Sequence, residues 1–356
     1  MPGGALTVAY KPIDTGPAGA RAAGRLVRMQ VTVDAPDWAT HVVSDLTDMV
    51  RSPRALRGDD RGGLRFELPD DVYFEYAFMD GAGRMRADPA NPQRAANPWY
   101  PEASAVLGPD YRPDALADPP APATPVDVDR LRLTSAALGQ QRRVIVAAPA
   151  GYRDRPLPWL LVQDGVAFYR LARLADVLSV LAEAGTVAPA RIAFVEPVER
   201  SREYAFHPGY VDFVEHELLP ELRRRYPSRD QLTALGASLG GLFSATLALT
   251  RPGLVDSVVT FSGAFLGHPE ARDFYTGERS FVAETLASVE PPRLRWYAEC
   301  GTLEWLTDVN RRVARELGRR GVEHRYVERH AGHNWTNWRN GVAAALRFAL
   351  PPTTDA

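Results

Sequence analysis

Ser238 lies in Gly236-Ala237-Ser238-Leu239-Gly240-Gly241, a serine with a glycine two residues to either side. A short apolar run, 232–235, leads into it, and an apolar helical run leads away to Arg251-Pro252. Strand, tight turn and helix form the context in which G-x-S-x-G presents a serine hydroxyl as a nucleophile. The small residues have a physical reason. The serine is held in a strained conformation, and side chains two before and two after it would collide across the turn. The plainer alternative is a glycine-rich helix start packed on a sheet. If Ser238 is the nucleophile, it needs a base to take its proton and an acid to orient that base.

In the α/β-hydrolase architecture these groups follow in the order serine, acid, histidine, on loops after successive strands. Of the seven histidines, His41, His207, His216 and His268 precede or closely follow the serine, His324 falls in a strand, and His330 is near that strand's end. His333, in "HAGHNWTNW", follows the last strand and precedes the last helix, which is the base's place. The acid should follow the strand at 294–298, where "AECGTLEWLTDVNRRV" offers Glu299, Glu304 and Asp308. Glu299 reads as part of the strand. Glu304 is expected to open the next helix, where the dipole alone also favours a carboxylate, and Asp308 one turn on is the fallback. An oxyanion requires two backbone N–H donors. Leu239 should supply one, and the strand-to-helix turn in "LLVQDGVAFY" offers Gly165 or Val166 for the other.

These loops need a scaffold, and the chain supplies one with two characters. Residues 1–110 hold short strand-like runs at 26–33, 41–43, 64–68 and 72–78, separated by Pro36-Asp37, Gly62-Gly63 and Asp80-Gly81. That spacing predicts a small antiparallel sandwich. Residues 111–127, rich in proline, alanine and aspartate, read as a semi-rigid linker. In residues 128–356, strands at 143–147, 160–162, 192–195, 232–235, 258–261, 294–298 and 324–327 alternate with helical patterns at 168–184, 210–226, 242–250, 305–319 and 337–348. Such alternation predicts a mostly parallel sheet with helices on both faces. Residues 263–292 interrupt it and read as an insertion over the sheet's carboxyl edge.

Composition narrows the function classes. With 356 residues, 45% of them hydrophobic, the chain can form two globular domains. No apolar run is long enough to predict a membrane span. The start "MPGGALTVAYKPIDTG" lacks a basic stretch followed by an apolar core, so no secretory signal is expected and the cytoplasm is the default location. Cys300 is the only cysteine, which excludes an intramolecular disulfide and a thiolate metal cluster. A formal net charge of −2 gives no reason to expect nucleic acid or an anionic membrane as partner. Lys11 is the only lysine, so arginine carries nearly all the positive charge and any single arginine is weak evidence for anion recognition.

The motifs resemble those of the esterase family that includes the enterochelin (catecholate siderophore) esterases and esterase D-like enzymes. In the second half the resemblance is carried by "LLVQDGVAFY", "ERSREYAFHPGYVDFVEHELLPEL", "GASLGGLFSATLALTRPGLVDSVVTFSGAF", "ECGTLEWLTDVNRRV" and "GHNWTNWRNGVAAAL". The first half resembles the early-set sandwich that precedes the hydrolase domain in enterochelin esterases. Its "YFEYAFMDGAGRMRADPANP" also resembles glycan-binding modules. The resemblance implies Ser238 as nucleophile, His333 as base, Glu304 as acid and Asp164-Gly165-Val166 as the oxyanion loop. It also implies that Arg202 contacts anionic substrate. Many relatives have aspartate at the position of Glu304. Tyr204, Phe206, Trp335 and Trp338 fall beside the site, either to stack on substrate rings or as core.

The leading expectation is therefore a cofactor-free, metal-free serine esterase acting on a small-molecule ester, a catecholate siderophore lactone or a related aryl or acyl ester. A carbohydrate (acetyl or feruloyl) esterase or acyltransferase is the second reading. A non-catalytic binding protein on an esterase scaffold is the third. The few short strands of the first domain suggest that it is integral to the enzyme. The oligomeric state is not legible in the sequence.

Overall fold

The computed structural model describes residues 28–352, apart from 59, 61–62, 271–277, 289 and 291–292. Expectations for the N-terminal start, for residues 26–27, for Gly62 and for part of the 263–292 insertion lie outside the described residues. The chain divides into two compact units. One takes the described residues up to Pro113 with 301–305 and 329–337; the other takes 114–300, 306–328 and the described residues from 338 on.

In the first unit β1 (Arg28–Val33), β2 (Ala39–Ser44), β3 (Arg54–Ala55), β4 (Leu64–Pro69), β5 (Tyr73–Asp80), β6 (Met85–Arg86) and β7 (Ser104–Leu107) form two antiparallel groups. β1 pairs with β4, and β2 pairs with β3 and β5, which also takes β6 and β7. Alternation along β1 and β4 sends Met29, Val31, Val33, Leu64, Phe66 and Leu68 into one core with Val42, Phe74, Tyr76 and Phe78. That core makes the group a small sandwich. The segments 301–305 and 329–337 are held to it: the Tyr73 N–H donates to the His330 carbonyl (2.9 Å), and Leu303 packs against the sandwich core.

The second unit is built on β8 (Asp127–Ser135), β9 (Gln140–Ala148), β10 (Leu157–Val162), β11 (Arg191–Val195), β12 (Ser228–Ala237), β13 (Ser257–Phe261), β14 (Arg295–Gly301) and β15 (Glu323–Arg329). Their order is β15-β14-β13-β12-β10-β11-β9-β8. β11, β10, β12, β13 and β14 run parallel, while β9 and β8 close the other edge antiparallel. The central strands are buried throughout, as apolar runs without alternation should be. The helices are α1 (Gly165–Arg170), α2 (Leu174–Glu183), α3 (Arg200–Tyr204), α4 (Pro208–Asp212), α5 (Leu219–Arg225), α6 (Leu239–Thr250), α7 (Phe281–Ser288), α8 (Thr307–Arg319) and α9 (Trp335–Ala349). A π-helical stretch, Phe213–Leu218, joins α4 to α5. This is an α/β-hydrolase-like mixed sheet with helices, preceded by a small β region. Among the described residues no helix is long and apolar enough to cross a membrane.

Several elements differ from expectation. The single helix expected at 168–184 is two, because Arg173 adopts a left-handed conformation (φ 47°) between α1 and α2. The interruption at 263–292 carries helix α7. The proline-rich segment is strapped down: Glu183 accepts the N–H groups of Ala123 and Thr124, and Arg173 bonds Asp118 and the Pro119 carbonyl.

Candidate active site

Ser238 stands between β12 and α6 at φ 55°, ψ −122°, a region L-residues rarely occupy. Its N–H donates to the Phe261 carbonyl (2.9 Å), and its carbonyl accepts from Leu242 and Ala264 (3.0 Å each). The surrounding fold therefore holds the strained backbone from both sides. A Cβ on Gly236 would lie 2.3 Å from the Gly240 carbonyl carbon and oxygen, and one on Gly240 would lie 3.0 Å from Gln163 Cβ. Gly236 is thus a steric requirement of the turn, while Gly240 is held close to Gln163 with little room to spare. Because backbone is what the new methyl meets, Gly236→Ala should cost about 2–3 kcal/mol or more, read as a lowered denaturation midpoint. A variant as stable as the parent would mean that the turn relaxes freely.

Glu304 and His333 are brought together. His333 Nδ1 lies 2.5 Å from Glu304 Oε2, and the other oxygen of the buried carboxylate accepts the Gly301 N–H at 2.8 Å. One oxygen is thereby fixed by the backbone and the other by the imidazole, the pairing that orients a base. Glu304, expected from sequence to open a helix, lies instead in the turn between β14 and α8. Asp308 is in α8 with its side chain 93% exposed, 3.4 Å from Arg311. Glu299 is buried on β14 and accepts the Tyr297 hydroxyl at 2.7 Å. His330 has its own carboxylate, Asp71 at 2.5 Å, but that residue is half exposed.

The turn after β10 departs from expectation at Val166. Its N–H donates to Glu196 Oε2 (2.9 Å), a bond it would have to give up to meet an oxyanion. Gly165 begins α1, and a Cβ there would meet the Phe194 carbonyl carbon at 2.4 Å, so the turn packs backbone to backbone against β11. Asp164, left-handed at φ 53°, binds Arg200 through two bonds of 2.7 Å. Arg200 is therefore taken up by Asp164, whereas Arg202 on α3 is exposed and pairs with the exposed carboxylate of Glu199 (2.9 Å).

Two expected substrate contacts are buried. Tyr204 is fully buried, its hydroxyl accepting the Asp164 N–H (2.8 Å) and its ring against Tyr210 and Phe243. Burial drives its phenol well above the usual range, so it remains a neutral post under the turn. Trp335 is 2% exposed at the start of α9, which leaves little surface for a ligand, and Trp338 is buried with its indole N–H on Ser262 (2.9 Å). Phe206 is half-buried, at φ 61°, edge-on to Phe281.

Sequence reasoning missed the groups of the sandwich unit that surround His333. Asp45 is buried, accepts the Glu75 N–H (2.7 Å) and stands against Gly332, where a Cβ would be 1.9 Å from Asp45 Oδ1. Asn334 accepts the Asn337 N–H (2.9 Å), and Asn337 donates to the Gly332 carbonyl (3.1 Å), which ties the His333 loop into one unit. Trp305 lies 4.6 Å and Trp99 6.5 Å from the His333 ring. No local motif marks Asp45 or Trp99, because only the folded chain brings them to residue 333.

Burial pushes the Glu75 carboxyl up to about 7, against lowering bonds from Asn97 and Tyr73. Asp45 is raised too, chiefly by burial and then by the Glu75 charge. The native state holds a proton that the unfolded chain releases, so the stabilisation is complete below the unfolded value and is lost as pH rises through about 7. The loss should be about 3 kcal/mol. Denaturation midpoints from acid to mildly alkaline pH should fall in the parent and fall less in Glu75→Gln; parallel profiles would refute the assignment.

Comparison with solved structures supports the architecture. Ferric enterobactin esterase from Salmonella typhimurium superposes with a TM-score of 0.70 at 19% identity, covering 91% of this chain and 93% of that one. The enterobactin esterase of Shigella flexneri, solved in the presence of enterobactin, gives 0.69 at 20% identity over 92% and 94%. A ferulic acid esterase gives 0.56 at 19% identity, covering 63% of this chain and 97% of that one. At these identities the likeness is one of fold. No curated protein matches by sequence. The profile of the esterase family described as "Putative esterase" matches residues 135–349, more than half of the sequence and the whole span from the end of β8 through α9, and the chain belongs to that family.

Proposed function

We propose that the protein is a serine esterase of the enterochelin-esterase type, hydrolysing a catecholate siderophore lactone or a related aryl ester. Ser238 Oγ attacks the ester carbonyl carbon while His333 Nε2 takes its proton, and Glu304 stabilises the imidazolium through Nδ1. The negative charge that develops on the carbonyl oxygen is met by the N–H groups of Leu239 and Gly165. Collapse expels the alcohol, protonated by His333, and leaves an acyl-Ser238. Water then attacks the acyl carbon, giving its proton to His333, and the acid leaves as the serine is restored. The Glu304–His333 bond of 2.5 Å carries this reading, because a carboxylate fixed by the backbone and aimed at Nδ1 has a use in base orientation. A strained serine elbow and an oriented imidazole also weigh against a purely binding role.

The substrate class rests on extent. The likeness to enterobactin esterases takes in about nine-tenths of this chain, sandwich included, whereas the ferulic acid esterase covers 63% of it. The exposed guanidinium of Arg202, paired in the structure with exposed Glu199, could exchange that partner for an anionic iron complex. The test is kcat/KM for ferric and iron-free triscatecholate lactone beside acetylated and feruloylated sugars. The lactone should be preferred at least about a hundredfold, and Arg202→Ala should erode that preference more than it slows small esters. Preference for the sugar esters would replace this reading with a carbohydrate esterase.

A further inference from the structure

The proposed mechanism leaves unused an exposed indole beside its base. Trp99 is 46% exposed, yet its ring lies nearly parallel to the His333 imidazole (23°) and 6.0 Å from the ring of buried Trp335. Its backbone is fixed: the Trp99 N–H donates to Asn97 Oδ1 (2.9 Å), and Asn97 donates to buried Glu75 (2.6 Å). The nearer indole, Trp305, carries the Arg51 guanidinium 4.0 Å from its ring centroid and donates its backbone N–H to Asp48 (3.2 Å). The Asp48 carboxyl is raised mainly by burial and lowered in part by Arg51, so Arg51 has an acid near it as well as a ring.

An exposed indole held rigidly in this way offers a flat apolar face with little ordering left to do on binding. A guanidinium lying on the neighbouring indole adds a planar, weakly hydrated cation suited to a carboxylate or phenolate. The position says which part of an ester these groups meet. His333 must deliver its proton to the departing alkoxide, so groups that flank its ring border the alcohol side of the scissile bond.

We propose that Trp99, Trp305 and Arg51 form a binding subsite for a negatively charged aromatic group carried on the alcohol side of the ester. The assignment rests on the serine-esterase reading for its orientation, while the binding itself does not depend on turnover.

Butyrate esters of ethanol, benzyl alcohol and 4-(hydroxymethyl)benzoate share one acyl group and separate the contributions. Trp99→Ala should shrink the benzyl-to-ethyl ratio of kcat/KM about fivefold to tenfold. Arg51→Ala should shrink the carboxybenzyl-to-benzyl ratio about threefold or more. The acyl-side ratio, ethyl benzoate to ethyl butyrate, should move less than about twofold in either variant, since a stacking loss confined to one side leaves the other untouched. Binding of 4-(hydroxymethyl)benzoate to full-length Ser238→Ala, followed by calorimetry, gives a readout free of catalysis, and adding Trp99→Ala should weaken it. If no ester is hydrolysed but this binding and its Trp99 dependence persist, the serine mechanism fails and the subsite stands. Unchanged alcohol-side ratios, or a shift of the acyl-side ratio instead, would overturn the subsite.

Discussion

Ser238→Ala is expected to lower p-nitrophenyl ester hydrolysis by about 10³-fold or more while leaving the denaturation midpoint nearly unchanged. The elbow's backbone frame is made by the Ser238 N–H and carbonyl with Phe261, Leu242 and Ala264. Alanine keeps those backbone bonds and inherits the same φ of 55°. The loss should therefore appear in kcat, with the substrate still bound. Activity above about a hundredth of the parent's would exclude Ser238 as the nucleophile, because removing a triad member does not leave so much.

Glu304→Gln is expected to cost about 10²-fold to 10⁴-fold in kcat, and Asp308→Asn almost nothing. The amide preserves the shape of the side chain but not its polarity. If its oxygen keeps the Gly301 N–H, its NH₂ faces Nδ1 and forces that nitrogen to accept. The imidazole proton then sits on Nε2, where a base toward Ser238 is needed, and the nucleophile loses its acceptor. Asp308 faces solvent on the first turn of α8 beside Arg311, so its charge is screened and its loss is tolerated. The opposite ranking would move the acid to Asp308 and leave Glu304 a structural carboxylate.

What the sequence showed clearly was whatever local pattern determines. The serine turn was legible because its glycines are needed within six residues of one another, and the buried strands β10, β11 and β13 because each is a short, mostly apolar run. The pairing of His333 with Glu304 was legible from position, since the chain order of this architecture puts an acid and a histidine on successive loops. The helical status of Glu304 was misjudged by one turn, a common scale of error where a helix start has no strong cap. β8 was overlooked because only Leu131 and Leu133 stand between exposed Arg130, Arg132 and Thr134 on an edge strand, too short an alternation to stand out beside the proline-rich segment. The break at Arg173 was hidden because the apolar pattern continues through it. Val166 looked like a donor until Glu196, thirty residues away, was found to accept its N–H. Asp45, Arg51 and Trp99 escaped for the same reason: their chemistry comes from a neighbour distant in sequence.

The most direct measurement of the central claim is covalent. The full-length protein treated with a fluorophosphonate and digested should carry a single phosphonyl adduct, on the peptide that contains Ser238. The adduct should be absent in Ser238→Ala and should form more slowly in Glu304→Gln, whose imidazole no longer activates the hydroxyl. Failure of the native protein to label, or an adduct on any other residue, would contradict a serine esterase with its nucleophile at the β12–α6 turn.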